Sequence, residues 1–305
     1  MHLPTPSAAL LLFLGSCLFP LPALRAQESP ALARTEDVIY GRKFGTALTL
    51  DVFRPAKPNG CGVVYLVSGG WFSSHASVSD RNAFVKNFAA RGYTVFAVVH
   101  GSQPKFTIPE ILEDVHRAVR FVRSNAPQYG VNPERLGVTG ASAGGHLSLL
   151  IGTLGGPGKP DAKDPVDRES SAVQAVACFY PPTDFLNYGK PGESAVGVQV
   201  LQNYKAAFGP RADDPGQHAV YGKEISPIYH VGPKTPPCLI VHGDADLLVP
   251  IQQAESFLQR AAGQGVATKL IAKPGLAHGW KDMSEDFRAM ADWFDTHLLA
   301  SSPAR

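Results

Sequence analysis

The chain of 305 residues contains only four cysteines, Cys17, Cys61, Cys178 and Cys238. It has neither a Cys-x-x-Cys pair nor a His-Glu-x-x-His motif. A zinc site therefore has no sequence support, and a disulfide framework has little. Charge of one sign is also scarce: 28 basic residues face 26 acidic ones, with no basic run. Nothing points to nucleic acid or to an anionic membrane surface. No apolar run is long enough to cross a bilayer. There is no internal repeat and no low-complexity tract, which excludes solenoids and arrays.

What is present begins with an apolar segment at residues 8–19 (AALLLFLGSCLF), broken by Pro20 and Pro22 and followed by Ala23-Leu24-Arg25-Ala26. This reads as an export signal over residues 1–26, cleaved before Gln27, and implies a secreted or periplasmic protein. An alternative uses Leu14-Gly15-Ser16-Cys17, which resembles a lipoprotein box with Cys17 as the lipidated residue. Residues 27–305 are then expected to form one domain. Three cysteines remain there, an odd number, and Cys178 and Cys238 lie in apolar runs. All three are expected as free, buried thiols.

Along the mature chain, strand-like and helix-like segments alternate. Residues 27–45 read as irregular. Residues 47–53 alternate apolar and polar like a half-exposed strand, whereas 62–67 (GVVYLV) and 93–99 are continuous apolar runs like strands buried on both faces. A helix is expected near 78–91. Thr107-Ile108-Pro109-Glu110 reads as a helix start, with a Thr cap and a Pro in the first turn. Its Ile111, Leu112, Val115, Ala118, Val119 and Val122 form a core-facing stripe. Further strands are expected at 174–180, 238–242 and 268–272, with helices near 251–263 and 284–299. Residues 155–171 read as a surface loop. Between 181 and 236 the rhythm lapses, with one helix expected around 194–207; this stretch is expected to be a lid-like insertion. The fold class predicted is α/β, a mainly parallel sheet with helices on both faces.

The chemistry centres on Leu136-Gly137-Val138-Thr139-Gly140-Ala141-Ser142-Ala143-Gly144-Gly145-His146. It reads as a buried strand, a Gly-x-Ser-x-Gly turn and a helix start, which would expose the Ser142 hydroxyl on a strained bend. No Gly-Lys-Ser/Thr follows, so it is not a phosphate loop. A serine nucleophile needs a base, usually histidine, and that base needs an orienting carboxylate. In a parallel sheet these groups belong in loops just past the strand ends. Two such loops qualify: His242-Gly243-Asp244-Ala245-Asp246, which offers two carboxylates, and Pro274-Gly275-Leu276-Ala277-His278-Gly279-Trp280, which offers a histidine.

Taken together, these three motifs resemble the α/β-hydrolases of the esterase/lipase and prolyl-oligopeptidase-like type, over roughly residues 45–298. Gly140 to His146 is similar to the family's nucleophile elbow. His242-Gly243-Asp244-Ala245-Asp246-Leu247-Leu248-Val249-Pro250 is similar to its His-Gly-x-x-Asp-x-x-Val-Pro, and Gly275-Leu276-Ala277-His278-Gly279 to its Gly-x-x-His-Gly. The resemblance implies Ser142 as nucleophile, Asp246 as orienting acid and His278 as base, with Asp244 the rival carboxylate. It implies an oxyanion hole from the Ala143 N–H and an N–H of Gly69, Gly70 or Trp71. Relatives often carry His-Gly-Gly-Gly-Trp there; here Val67-Ser68-Gly69-Gly70-Trp71 replaces it, so the histidine that braces that loop is missing. Trp71 either lines the acyl pocket, as a substrate-binding residue, or packs under the loop. His75 is a further candidate for the pocket, while His100, His146, His230 and His242 read as structural or surface residues. The activity implied is carboxylic-ester hydrolysis without metal or organic cofactor, on a small-molecule or carbohydrate-linked acyl ester, as in acetyl- and feruloyl-type esterases. The alternatives are a peptidase and a catalytically silent ligand-binding scaffold.

Overall fold

A computed structural model describes residues 32–299 and Met1; the rest of the expected leader, Cys17 included, lies outside the described residues. Eight strands form one sheet: β1 (Leu32–Lys43), β2 (Thr46–Pro55), β3 (Gly62–Leu66), β4 (Thr94–Val99), β5 (Leu136–Ala141), β6 (Ala175–Phe179), β7 (Cys238–Gly243) and β8 (Thr268–Lys273). Their order across the sheet is β1-β2-β4-β3-β5-β6-β7-β8. β1 pairs antiparallel with β2, and β2 with β4; β4, β3 and β5 to β8 run parallel.

Helices cover both faces. β3 shows how the sequence sorts them. Its Val64 and Leu66 join the core beneath α2 (Ile108–Asn125), α3 (Ala143–Leu154) and α6 (Gln252–Ala262), while its Val63 and Tyr65 join the core beneath α1 (Ala83–Ala90) and α7 (Ser284–Phe294). Alternate side chains of a strand point to opposite faces, so a strand covered on both sides must be apolar at every position. The expected Thr107 start of α2 is present as a capping box: Glu110 accepts the Thr107 N–H at 2.8 Å.

Three expectations need correction. Residues 32–43 form the edge strand β1, not an irregular lead-in. Arg34, Glu36, Asp37, Arg42 and Lys43 break the apolar alternation, and two register shifts interrupt the ladder. Both are devices that blunt a sheet edge, and both hide a strand from pattern reading. What fastens the edge is a buried charge: Arg34 donates to Asp51 Oδ2 of β2 at 2.8 and 2.6 Å. The helix expected near 78–91 begins only at Ala83, capped by Asn82. In the insertion, no helix spans 194–207. A 3-10 turn at Gln199–Tyr204 leads into the short α4 (Lys205–Phe208), and α5 (His218–Ile225) follows. The insertion also buries Phe185, Tyr188, Leu201, Phe208 and Tyr221 in the same core as α2 and α3.

Cys61, Cys178 and Cys238 are free and buried, and burial pushes their thiols up, Cys61 to about 11 and Cys238 to about 12. Burial acts in the opposite sense on two imidazoles, lowering His100 and His146 from 6.5 to about 4. Between those values the unfolded chain binds protons that the folded chain refuses, so stability rises with pH across that window. The unfolding free energy measured in urea should therefore fall as pH drops from about 6.5 to about 4. Carboxylates held low, such as Glu110 and Asp164, add their losses only below roughly pH 4.5. A free energy that is flat between pH 6.5 and 5 would contradict the assignment of neutral buried histidines.

Candidate active site

The strand order reverses direction at β3 and β5. From β3 the chain crosses through α1 to β4 on one side, then returns through α2 to β5 on the other. Loops leaving the carboxyl ends of β3 and β5 must diverge there, and the crevice between them is where open α/β sheets bind ligands. Those two loops carry Ser68 to Trp71 and Ser142.

Ser142 lies between β5 and α3 with φ 54° and ψ −118°. Left-handed backbone at a non-glycine residue costs about 1–3 kcal/mol and persists only where its surroundings enforce it. The surroundings here are backbone. A Cβ on Gly140 would lie 2.5 Å from the Gly144 carbonyl carbon, and a Cβ on Gly144 would lie 2.7 Å from the Leu66 carbonyl oxygen. The helix can pack this closely against the strand only with glycine at both positions. The Ser142 N–H is spent on the Phe179 carbonyl at 3.0 Å, and its carbonyl accepts the His146 N–H at 2.8 Å.

The structure brings the three residues together. Ser142 Oγ lies 2.9 Å from His278 Nε2, and His278 Nδ1 lies 2.6 Å from Asp246 Oδ2. Asp246 Oδ1 accepts the Leu248 and Val249 N–H groups, both at 2.9 Å. The carboxylate is an acceptor only, so His278 carries its proton on Nδ1 and leaves Nε2 to accept from Ser142. Burial alone would raise the Asp246 carboxyl, but the nearby His242 ring and hydrogen bonding from His278 and the Val249 N–H outweigh it and hold the group well below the usual carboxylate range. Asp244 is exposed and serves a different purpose: its Oδ1 accepts the Gly275 N–H at 2.6 Å, tying the loop after β7 to the loop that carries His278.

The loop after β3 turns tightly at Gly70 (φ 54°) and Trp71 (φ 62°), closed by paired Gly69–Phe72 backbone bonds of 3.0 and 2.9 Å. Gln103, between β4 and α2, clamps it by donating to the Trp71 carbonyl at 3.2 Å and the Gly70 carbonyl at 2.5 Å. Because the Gly69 N–H donates to Phe72, it is not free for an oxyanion. The Ala143, Gly70 and Trp71 N–H groups have no acceptor among the described residues. The Trp71 indole is 2 % exposed and packs under the loop, so its side chain is not a pocket wall.

His75 is placed elsewhere, 2.5 Å from Thr49 Oγ1 and 3.1 Å from Asp37. A cavity of about 520 Å³ between β1 and α2 is lined by none of the three site residues. Two residues outside the expected site also touch it; one, His242, reads from the sequence as a structural or surface residue. His242 is fully buried; its Nε2 donates to the Val249 carbonyl at 2.8 Å and lies 3.4 Å from Asp246 Oδ2. The shorter contact is the hydrogen bond and closes the turn that presents Asp246. Its place at the head of the His-Gly-x-x-Asp motif was the available signal. Tyr180, at φ 31°, sets its ring 4.5 Å from that of His278, and no local pattern marks it.

A sheet of this order, with a half-buried serine at a strained strand–helix turn and Ser, Asp and His in the loops after β5, β7 and β8, defines an α/β-hydrolase. The chain belongs to the BD-FAE family, whose pattern matches residues 50–260. It is 30% identical over 248 residues to the esterase LipC of Mycobacterium tuberculosis, covering 80% of this chain and 59% of that protein. It is 28% identical over 244 residues to the probable carboxylic ester hydrolase LipM of the same organism, covering 79% and 54%. The chain thus spans little more than half the length of these relatives. A solved truncated form of a carbohydrate esterase from gut microbiota is similar with a TM-score of 0.73 at 26% identity, covering 88% of this chain and 96% of that one.

The two carboxylates can be separated experimentally. Asp246→Asn should slow fluorophosphonate labelling of Ser142 by about 10⁴-fold, as for other triad acids whose histidine is left in the wrong tautomer. Asp244→Asn should stay within about tenfold, since it loses only a loop tie. The reverse order would make Asp244 the acid.

Proposed function

We propose that this chain hydrolyses carboxylic esters through an acyl-enzyme on Ser142. The observation that carries the reading is the unbroken line of contacts from Ser142 Oγ through His278 to Asp246, at 2.9 and 2.6 Å. As Oγ bonds to the ester carbonyl carbon, its proton passes to His278 Nε2 and the carbonyl π pair moves onto oxygen. Asp246 stabilises the imidazolium so formed. The new oxyanion accepts hydrogen bonds from the Ala143 N–H and from Gly70 or Trp71. When the intermediate collapses, the C–O bond to the alcohol breaks and the leaving oxygen takes the proton from Nε2. Water then repeats the sequence on the acyl-enzyme, releasing the acid and restoring Ser142. The chemistry is complete without a metal or organic cofactor.

The substrate class we favour is a small or carbohydrate-linked acyl ester. It is supported by likeness to a carbohydrate esterase and by relatives named as ester hydrolases. Against the silent-scaffold alternative stands the in-line Ser–His–Asp geometry; nothing in the site favours a peptide over an ester. Export through residues 1–26 is part of the proposal, with Cys17 lipidation its alternative. An intact mass beginning at Gln27 supports simple cleavage, and a diacylglyceryl mass on Cys17 supports the other.

Purified residues 27–305 should turn over p-nitrophenyl acetate and butyrate but not a peptide anilide. Ser142→Ala should lower turnover by as much as about a million-fold, to background. Equal rates in the two proteins would remove Ser142 from the mechanism.

A further inference from the structure

In the family resembled by the sequence, a histidine braces the oxyanion loop; here Val67 holds that place, and its aliphatic side chain offers no hydrogen bond. The Oγ of the next residue, Ser68, is buried and makes no hydrogen bond either, so neither braces the loop. Yet the loop holds two successive residues at positive φ, one of them a tryptophan, and such a turn needs an external constraint.

We infer that His146 is the positioning residue for the oxyanion loop, acting through the buried hydrogen bond from the Trp71 indole. This inference rests on the proposed role of Ser142. His146 lies on the first turn of α3, four residues after the nucleophile, and is fully buried. Trp71 Nε1–H donates to its Nδ1 at 3.2 Å. Its Nε2–H donates to the Ile225 carbonyl, at the end of α5, at 2.7 Å. The carbonyl can only accept and the indole can only donate, so the two partners admit one tautomer of a neutral ring. Burial reinforces that neutrality by lowering the imidazole to about 4.

One rigid ring therefore joins three elements that the reaction needs in register. The first is the helix whose Ala143 N–H points at the oxyanion, the second is the loop that supplies the other donor, and the third is the insertion. The insertion adds its own walls around the indole. Phe208 lies 5.4 Å, Phe185 6.1 Å and Tyr204 6.2 Å from the Trp71 ring, and Phe185 also lies 5.2 Å from His146. With the indole fixed at its polar tip and along its faces, the main chain at Gly70 and Trp71 cannot swing away from Ala143. The hole is preformed, and the insertion is a structural part of it.

The test compares wild type, Trp71→Phe, His146→Leu and His146→Asn. Asparagine places an acceptor near the position of Nδ1 and so keeps the indole bond. The readouts are kcat and KM on p-nitrophenyl acetate and the ratio of kcat/KM for an ester over its thionoester. Sulfur is a poor acceptor, so that ratio reports the oxyanion donors and does not respond to a loss of global stability. Removing a donor outright costs about 10²–10³ in kcat. Loosening one should therefore cost Trp71→Phe and His146→Leu about 10–100-fold in kcat, with KM within about threefold and the ester/thionoester ratio compressed. His146→Asn should recover most of both effects. The double variant Trp71→Phe/His146→Leu should be no worse than the poorer single, since both remove one bond. A wild-type ratio in Trp71→Phe overturns the inference, even if His146→Leu fails to fold. Wild-type turnover that Ser142→Ala abolishes establishes the underlying reading separately; no wild-type turnover overturns both.

Discussion

Everything in the site depends on the strained backbone of Ser142. A residue at φ 54° is held there because the carbonyl of Phe179 accepts its N–H on one side and the first turn of α3 begins at its carbonyl on the other. That arrangement exists only because β5 and α3 touch without side chains between them, at Gly140 and Gly144. A methyl group at either position would push the helix away from β3 and β5, and the serine would relax toward ordinary backbone. The cost of the strain, about 1–3 kcal/mol, is small beside the burial of α3, whose Leu147, Leu149, Leu150 and Ile151 are all inaccessible. The strain is therefore tolerated by the fold, and its product is a hydroxyl standing clear at the crevice.

The sheet order supplies the rest. With β3 and β5 adjacent but their crossovers on opposite sides, the Gly69–Trp71 loop and the Ser142 turn open into the same crevice. β7 and β8 are neighbours further along, and their loops are stitched by Asp244 to Gly275 and by the Ala245 N–H to Leu276. Asp246 and His278 thus arrive as a unit. They lie in a loop pair whose tie does not involve the β5–α3 turn, and the 2.9 Å contact between His278 and Ser142 is where the two halves meet.

The parts of this arrangement legible in the sequence are those set by short-range rules. Strands buried on both faces read as apolar runs, the elbow as spaced glycines, and the acid and base loops as motifs at strand ends. The illegible parts are set by tertiary contact. β1 is paired to its neighbour through Arg34 and Asp51, a bond between residues seventeen positions apart, and its own pattern is obscured by charge. The insertion hides its short turns because its stability comes from aromatic packing on Trp71 and α3, with little contribution from helical periodicity. Trp71 could not be assigned from sequence because its backbone and its side chain face different tasks. Gly69, one of three donors implied by the family resemblance, is removed by a bond to Phe72 that only the folded turn reveals.

The histidines show how environment, not residue type, divides the labour. His278 has an anionic carboxylate on one nitrogen and a hydroxyl on the other, with its edge partly open. The ring thus links the hydroxyl to the carboxylate through its two nitrogens. His146 has a carbonyl on one nitrogen and an indole donor on the other and no carboxylate in contact; protonation would set its new N–H against the indole N–H. It is consequently fixed as a neutral two-ended connector. His242 lies between these cases: it is buried, bonded to a carbonyl, and near the same carboxylate that orients His278. Because it spends its Nε2 proton on Val249, it holds the Asp246 turn closed without competing for the Oδ2 lone pair that His278 needs. The carboxylate is left with two backbone donors on one oxygen and the His278 N–H on the other, so its orientation is determined before any substrate enters.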